Sequence, residues 1–298
     1  MKQKKIIQFR KQRDFGDIIS DTFSFVRYEF QPFFGTVLKI AGPYVFLFLA
    51  SFAGYTFFFG SLNQFGATTL GIDQGLEDAE IFLFLGLLLV LFTCSIAAQI
   101  MLSGSVMSYI RNYTENDGKV NFQEVKSYTY QKFWSLLGLG ILYGLTFGLG
   151  LLFCVLPGIY VLVVLALSGP ILMMENKGAG DAYQDSFSLI KGEFWITLGI
   201  FFVMWIIVMI GSGALGLLQV MYSWLEMGIF SGEFDAETFD LYQDPVYIIL
   251  ELVNNLVQML MNLILLVTAC LVYFHLHEQK NSTGALERIG NLGNTTSE

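Results

Sequence analysis

Three stretches without a single Asp, Glu, Lys or Arg constrain this chain more than any other feature. Ile81 to Leu102 runs 22 residues, Phe133 to Met174 runs 42 and Phe194 to Leu225 runs 32. About 20 such residues make a helix long enough to cross the hydrocarbon core of a bilayer. Composition agrees, because 14% charged residues falls far below the roughly 25% of soluble domains. The expectation is an all-α, polytopic transmembrane bundle of six helices, with spans near residues 40–60, 81–103, 135–155, 157–175, 194–216 and 246–274. The 42-residue run needs a reversal, and Pro157 in Leu156-Pro157-Gly158 suits the first turn of a new helix.

Charge placement sets the orientation. Six of the 16 Lys and Arg residues precede Asp14, and the others are Arg27, Lys39, Arg111, Lys119, Lys126, Lys132, Lys177, Lys191, Lys280 and Arg288. All lie on or beside alternate segments, and none falls between spans 1 and 2 or between spans 5 and 6. Those two loops carry acids instead, among them Asp73, Glu77, Glu233 and Asp240. The positive-inside rule then places both termini in the cytoplasm. The formal charge of -9 is therefore a matter of sidedness, not of an acidic surface.

The 21 residues from Phe15 to Gly35 share eight identities, without a gap, with those from Ala179 to Gly199. In the first copy Phe15, Ile18, Ile19, Phe23, Val26 and Phe30 form an apolar helical face, opposite Asp14, Asp17, Asp21, Ser24 and Tyr28. In the second, Ala179, Ala182, Tyr183, Phe187, Ile190 and Phe194 oppose Asp181, Asp185, Ser188 and Lys191. Each reads as an amphipathic helix on the inner membrane surface. A weaker copy precedes span 3, where Asn121 is an N-cap with Glu124 three residues on, and Phe133, Trp134, Leu137 and Gly138 match Phe194, Trp195, Leu198 and Gly199. The expected architecture is three pseudo-repeated hairpins, each preceded by a cytoplasmic interfacial helix. The domain reading is a basic cytoplasmic head at 1–14, one membrane domain at 15–276 and a cytoplasmic tail at 277–298. The head lacks the apolar core and cleavage site of a signal peptide, so it is expected to be retained.

The run from Leu156 to Gly199, with its Pro157-Gly158 start, Pro170, Glu175 and the Asp185-Ser186-Phe187 helix, resembles the bacterial glycerophosphoryl diester phosphodiesterase membrane-domain family. The resemblance covers the membrane region alone and implies a multi-pass protein of a bacterial cytoplasmic membrane. The catalytic barrel fused to some members needs metal-binding carboxylates and histidines in a soluble domain. This chain has two histidines, both at the end of span 6, so the enzymatic activity is not implied.

Four features invite a chemical reading. His275 and His277 lie two apart and do not share a helical face, so they are expected to cap a span rather than bind metal. Cys94, Cys154 and Cys270 fall inside apolar runs and read as small buried hydrophobes. Gly140, Gly144 and Gly148 at i, i+4, i+8 in span 3 form a groove for close helix approach, inside the bundle or against a partner. On span 6, Glu251, Asn255, Gln258 and Asn262 share one face with Asn254 beside them. That stripe is either hydrogen-bonded glue within the bundle or a polar lining for solute passage or docking.

No nucleotide, metal or hydrolase motif and no basic-aromatic groove for nucleic acid is present, so neither a cofactor nor a nucleic-acid partner is expected. The expected partners are the lipid bilayer and another membrane protein. The functional expectation is a non-catalytic structural or accessory subunit of a membrane complex; the alternative is a small-solute transporter or channel using the span 6 stripe.

Overall fold

The computed structural model describes residues 7–66, 78–153, 155–227 and 244–281. Among them the regular elements are all helices: α1 (Phe15–Tyr28), α2 (Phe30–Gly66), α3 (Asp78–Glu115), α4 (Phe122–Phe153), α5 (Val155–Leu165), α6 (Ser168–Met174), α7 (Ala179–Leu189), α8 (Phe194–Glu226) and α9 (Pro245–Asn281). Six segments of the described residues are long and apolar enough to cross a membrane: Phe30–Phe58, Phe82–Glu115, Phe122–Gly150, Pro157–Met174, Phe194–Glu226 and Pro245–Asn281. Cys154 and most of the expected tail lie outside the described residues.

Helix boundaries depart from the hydropathy reading in three places. Helix α2 begins at Phe30 rather than near residue 40. Its first turns are held by protein neighbours, so it forms before the apolar run begins. The interfacial helix expected before span 3 is continuous with that span in α4. Aligning Phe133 with Phe194 sets Gln131 opposite Gly192, whose φ of +95° ends the segment between α7 and α8; a residue with a Cβ disfavours that conformation, and the helix runs on. The fourth span breaks into α5 and α6, because Pro170 has no N–H to return to the Ala166 carbonyl. The start of α4 follows expectation. The Asn121 side-chain oxygen accepts from the Gln123 N–H at 3.1 Å, and Asn121 Nδ2 donates to Glu124 at 3.0 Å.

The chain divides into two compact units, one made of Met1–Ile40, Ile100–Ile207 and Leu263–Glu298, the other of Ala41–Gln99 and Val208–Asn262. The first is organised around edge-to-face aromatic pairs. Phe25 meets Phe9 at 5.1 Å, Tyr113 at 5.4 Å and Phe33 at 5.6 Å between ring centroids, and Phe33 meets Tyr109 at 5.2 Å. Helix α1 therefore buries Ile18, Thr22 and Phe25. Phe15, Phe23 and Phe30, expected on its apolar face, are exposed. Residues 7–13, read as the end of a basic head, pack into this unit through Ile7 and Phe9. The Arg13 guanidinium is neutralised by Asp21 at 2.8 Å and donates to the carbonyls of Phe9, Lys11 and Gln8. Glycines act where α3, α4 and α5 approach: a Cβ on Gly104 would lie 2.9 Å from Leu136, and one on Gly150 would lie 3.1 Å from the Gly158 Cα.

The second unit carries contacts between successive helices. Tyr55 of α2 meets Phe84 of α3 at 6.0 Å. Asn254 of α9 donates to Gln219 of α8 at 3.5 Å, and Tyr222 donates to Asp244. Asp244 also caps α9, accepting from the N–H groups of Val246 and Tyr247 at 3.0 and 3.3 Å.

Candidate functional site

The polar side chains of the first unit converge where α3, α6 and α9 end. Helix α3 delivers Arg111 and Glu115 one turn apart, and they pair at 2.8 Å. The Arg111 guanidinium carbon lies 4.2 Å above the centre of the Tyr128 ring, a cation–π arrangement. Tyr128 is held in turn by its hydroxyl, which donates to the Met173 carbonyl at 2.8 Å. Two cavities flank Arg111. One of about 220 Å³ is lined by Arg10, Glu175, Tyr273, His277 and Glu278 as well as Arg111 and Glu115. The other, of about 430 Å³, lies between α3 and α4 with Asn112, Gln123, Glu124, Tyr128 and Gln131 in its wall.

Glu175 closes α6 and ties it to α9. The chain turns at Asn176, whose φ is +56°, a conformation that asparagine tolerates. Glu175 accepts from the Tyr273 hydroxyl at 2.9 Å and pairs with Lys177 at 2.6 Å. Lys177 reaches Asp185 of α7 at the same distance. The hydrogen bond to Asp185 and then that to Glu175 push the Lys177 ammonium up to about 12. His277 Nδ1 stands 3.7 Å from Glu175, and His275 Nδ1 accepts the Arg13 N–H at 3.0 Å. Among the described residues no group of His, Cys, Asp and Glu side chains could hold a metal ion.

The stripe on α9 is only partly drawn together. Glu251, Asn254, Asn255 and Asn262 are half-buried, while Gln258 is exposed. Asn254 bonds across to Gln219, whereas Asn255 donates to its own helix at the Glu251 carbonyl, 2.9 Å away. One carboxylate oxygen of Glu251 is buried without a hydrogen-bond partner among the described residues.

The glycine groove on α4 has no close neighbour among the described residues. Among the described residues, a Cβ on Gly140, Gly144 or Gly148 would meet no atom within 4 Å. Gly140 and Gly144 are exposed beside Ile141, Leu145 and Leu149. Close approach falls instead at Gly150, where α4 turns back on α5. Spacing alone predicts a smooth groove but not which helix fills it.

Sequence reasoning missed Arg111, Tyr128 and the Glu175–Lys177–Asp185 bridge as a cluster. The signal was present in part: Glu175 and Lys177 stand directly after a 42-residue run without charge. No family model matches the chain, and no curated protein and no solved structure is similar to it.

Proposed function

We propose that the chain is a non-catalytic integral membrane protein serving as a structural or accessory subunit of a membrane complex. The observation that supports this is the open glycine edge of α4. In a bilayer, glycine faces gain from close backbone packing, not from a hydrophobic effect, so an edge left unfilled by the described residues suits a partner helix. In this reading the protein lies in a bacterial cytoplasmic membrane with both termini inside, as the placement of basic residues implies. The resemblance to the membrane-domain family concerns that region only.

The proposed architecture keeps the hairpin repeat with its leading amphipathic helices. Its support is a shared burial register: Ile18, Thr22 and Phe25 of α1 recur 164 positions on as buried Ala182, Ser186 and Leu189 of α7. The middle copy departs from the pattern, because α4 fuses the two parts.

Gentle-detergent purification followed by cross-linking tests the subunit reading. Wild type should carry a stoichiometric membrane-protein partner that Gly144→Leu loses while remaining folded. Wild type that purifies without a partner, or a variant that keeps it, defeats the proposal. The orphan Glu251 oxygen favours a second reading, solute passage along the α9 stripe. It requires that Glu251→Gln abolish a charge-dependent flux in proteoliposomes.

A further inference from the structure

We infer that the α4–α5 hairpin does not cross the membrane but enters only the leaflet on the side of the termini, with the acyl chains of that leaflet as its partner. This goes beyond the subunit reading and rests on the multi-pass reading alone, whichever side the termini occupy. The deciding contact joins Tyr160, two residues past the Gly150–Gly158 reversal, to Phe194, the first residue of α8, with ring centroids 5.1 Å apart. Rings in contact leave two backbones no further apart than two aromatic side chains reach, less than half of the roughly 30 Å hydrocarbon core. A hairpin that crossed would carry its reversal a full core thickness away from the surface at which α8 begins. The end of this one stays within a leaflet of that surface.

Phe194 itself lies at a charged helix end. Glu193 accepts from Gln279 at 2.8 Å, and the Ser188 carbonyl accepts from Lys280, so α8 starts level with the last turn of α9. The 33 residues of α8 make about 50 Å of helix, enough to cross the core from a start outside it. The flank of the hairpin agrees. Helix α7 runs beside α4, with the Ala179 Cβ 3.7 Å from a Cβ placed on Gly138 and the Tyr183 hydroxyl 3.0 Å from Thr146 Oγ1, and its Phe187 reaches the Tyr160 ring at 6.3 Å. The same short helix exposes Asp181, Gln184 and Ser188 and holds the Lys177–Asp185 pair, groups that are costly to carry into hydrocarbon. The stretch of α4 that it covers therefore lies along the membrane surface. Every residue of α4, α5 and α6 belongs to the first unit, whereas α2, α3, α8 and α9 each contribute to both. Leu145, Leu149, Leu152, Ile159 and Leu162 of the hairpin are exposed, Leu152 at 84%, and acyl chains cover such a surface where water would not. Four crossing helices remain, an even number that keeps both termini on one side.

The test uses the full chain with its three native cysteines replaced by alanine. In intact cells an impermeant thiol reagent should react at Ser61→Cys and spare both Ile159→Cys and Lys191→Cys. With spin labels on Ile159→Cys and Lys191→Cys together, in nanodiscs, the separation should fall well short of the about 30 Å that a crossing would set between them. A label on Leu152→Cys should be relaxed by oxygen, which dissolves among acyl chains, and shielded from a water-soluble nickel chelate. Reaction at Ile159→Cys with Lys191→Cys spared, or a separation of about 30 Å or more, overturns the inference. Nickel access at Leu152→Cys equal to that at Lys191→Cys also overturns it, because no acyl chains would then cover the hairpin. Reaction at Ile159→Cys and Lys191→Cys together, with Ser61→Cys spared, upholds the hairpin and reverses only the sidedness. None of these readouts depends on a partner subunit.

Discussion

Gly150 and Gly158 face each other across the reversal between α4 and α5, so close that a Cβ on Gly150 would stand 3.1 Å from the Gly158 Cα. The obstacle is backbone and cannot rotate away. Gly150→Leu should therefore destabilise the fold by about 3 kcal/mol or more, the scale of severe overpacking. Gly144→Leu meets open space and exchanges a poor helix former for a good one, so it should leave stability unchanged or raise it by up to about 0.8 kcal/mol. Thermal unfolding of both variants in one detergent checks the contrast, and equal losses would contradict the open edge.

The Tyr109 hydroxyl donates to the buried carboxylate of Glu29 at 3.2 Å. Removing it in Tyr109→Phe takes a donor from a group that is 1% exposed. The expected loss is about 1–3 kcal/mol. Tyr28→Phe, at an exposed position, should stay within about 0.5 kcal/mol of wild type. Chemical denaturation of the two variants decides the matter.

The Lys177 bridge gives a pH dependence at the alkaline end. Its folded pKa, about 12, lies above the unfolded value of about 10.4. The raised pKa means the ammonium is favoured in the folded protein, so its contribution is fully present below about 10.4 and is lost as pH rises through the folded value. Wild type should be more stable than Lys177→Gln at pH 8, with the gap narrowing from pH 10.5 upward. A gap that is constant with pH would separate the side chain's role from its charge.

Topology is open to labelling. Cysteines introduced at Ser61 and Ser231 should react with an impermeant thiol reagent in intact cells, and one at Ser297 should not. Ser231 and Ser297 lie outside the described residues, so the outcome depends on sidedness alone. Labelling at Ser297 would reverse the orientation or change the number of spans.

Apolar runs, local charge and capping chemistry are properties of neighbouring residues, and they were sufficient for the helical class, the six candidate spans and the Asn121 cap. A run of 42 uncharged residues cannot cross a bilayer once and stop, so a reversal near Pro157 followed from length. What the sequence could not settle was which side of each helix meets protein and which meets lipid. Both surroundings are apolar, so hydropathy does not distinguish Phe25, buried among four rings, from Phe23, which is exposed. The same ambiguity left open whether Gly140, Gly144 and Gly148 meet the bundle or a partner, whereas the close backbone approach on α4 falls at Gly150. The cluster at Arg111 was hidden for a different reason. Its members are separated by up to 166 residues, from Arg111 through Tyr128, Glu175 and Lys177 to His277, and nothing in local spacing couples them. Only the tertiary packing of α3, α4, α6 and α9 brings a guanidinium, a ring and a carboxylate to one place, because that distance is a property of how helices meet and not of any one of them.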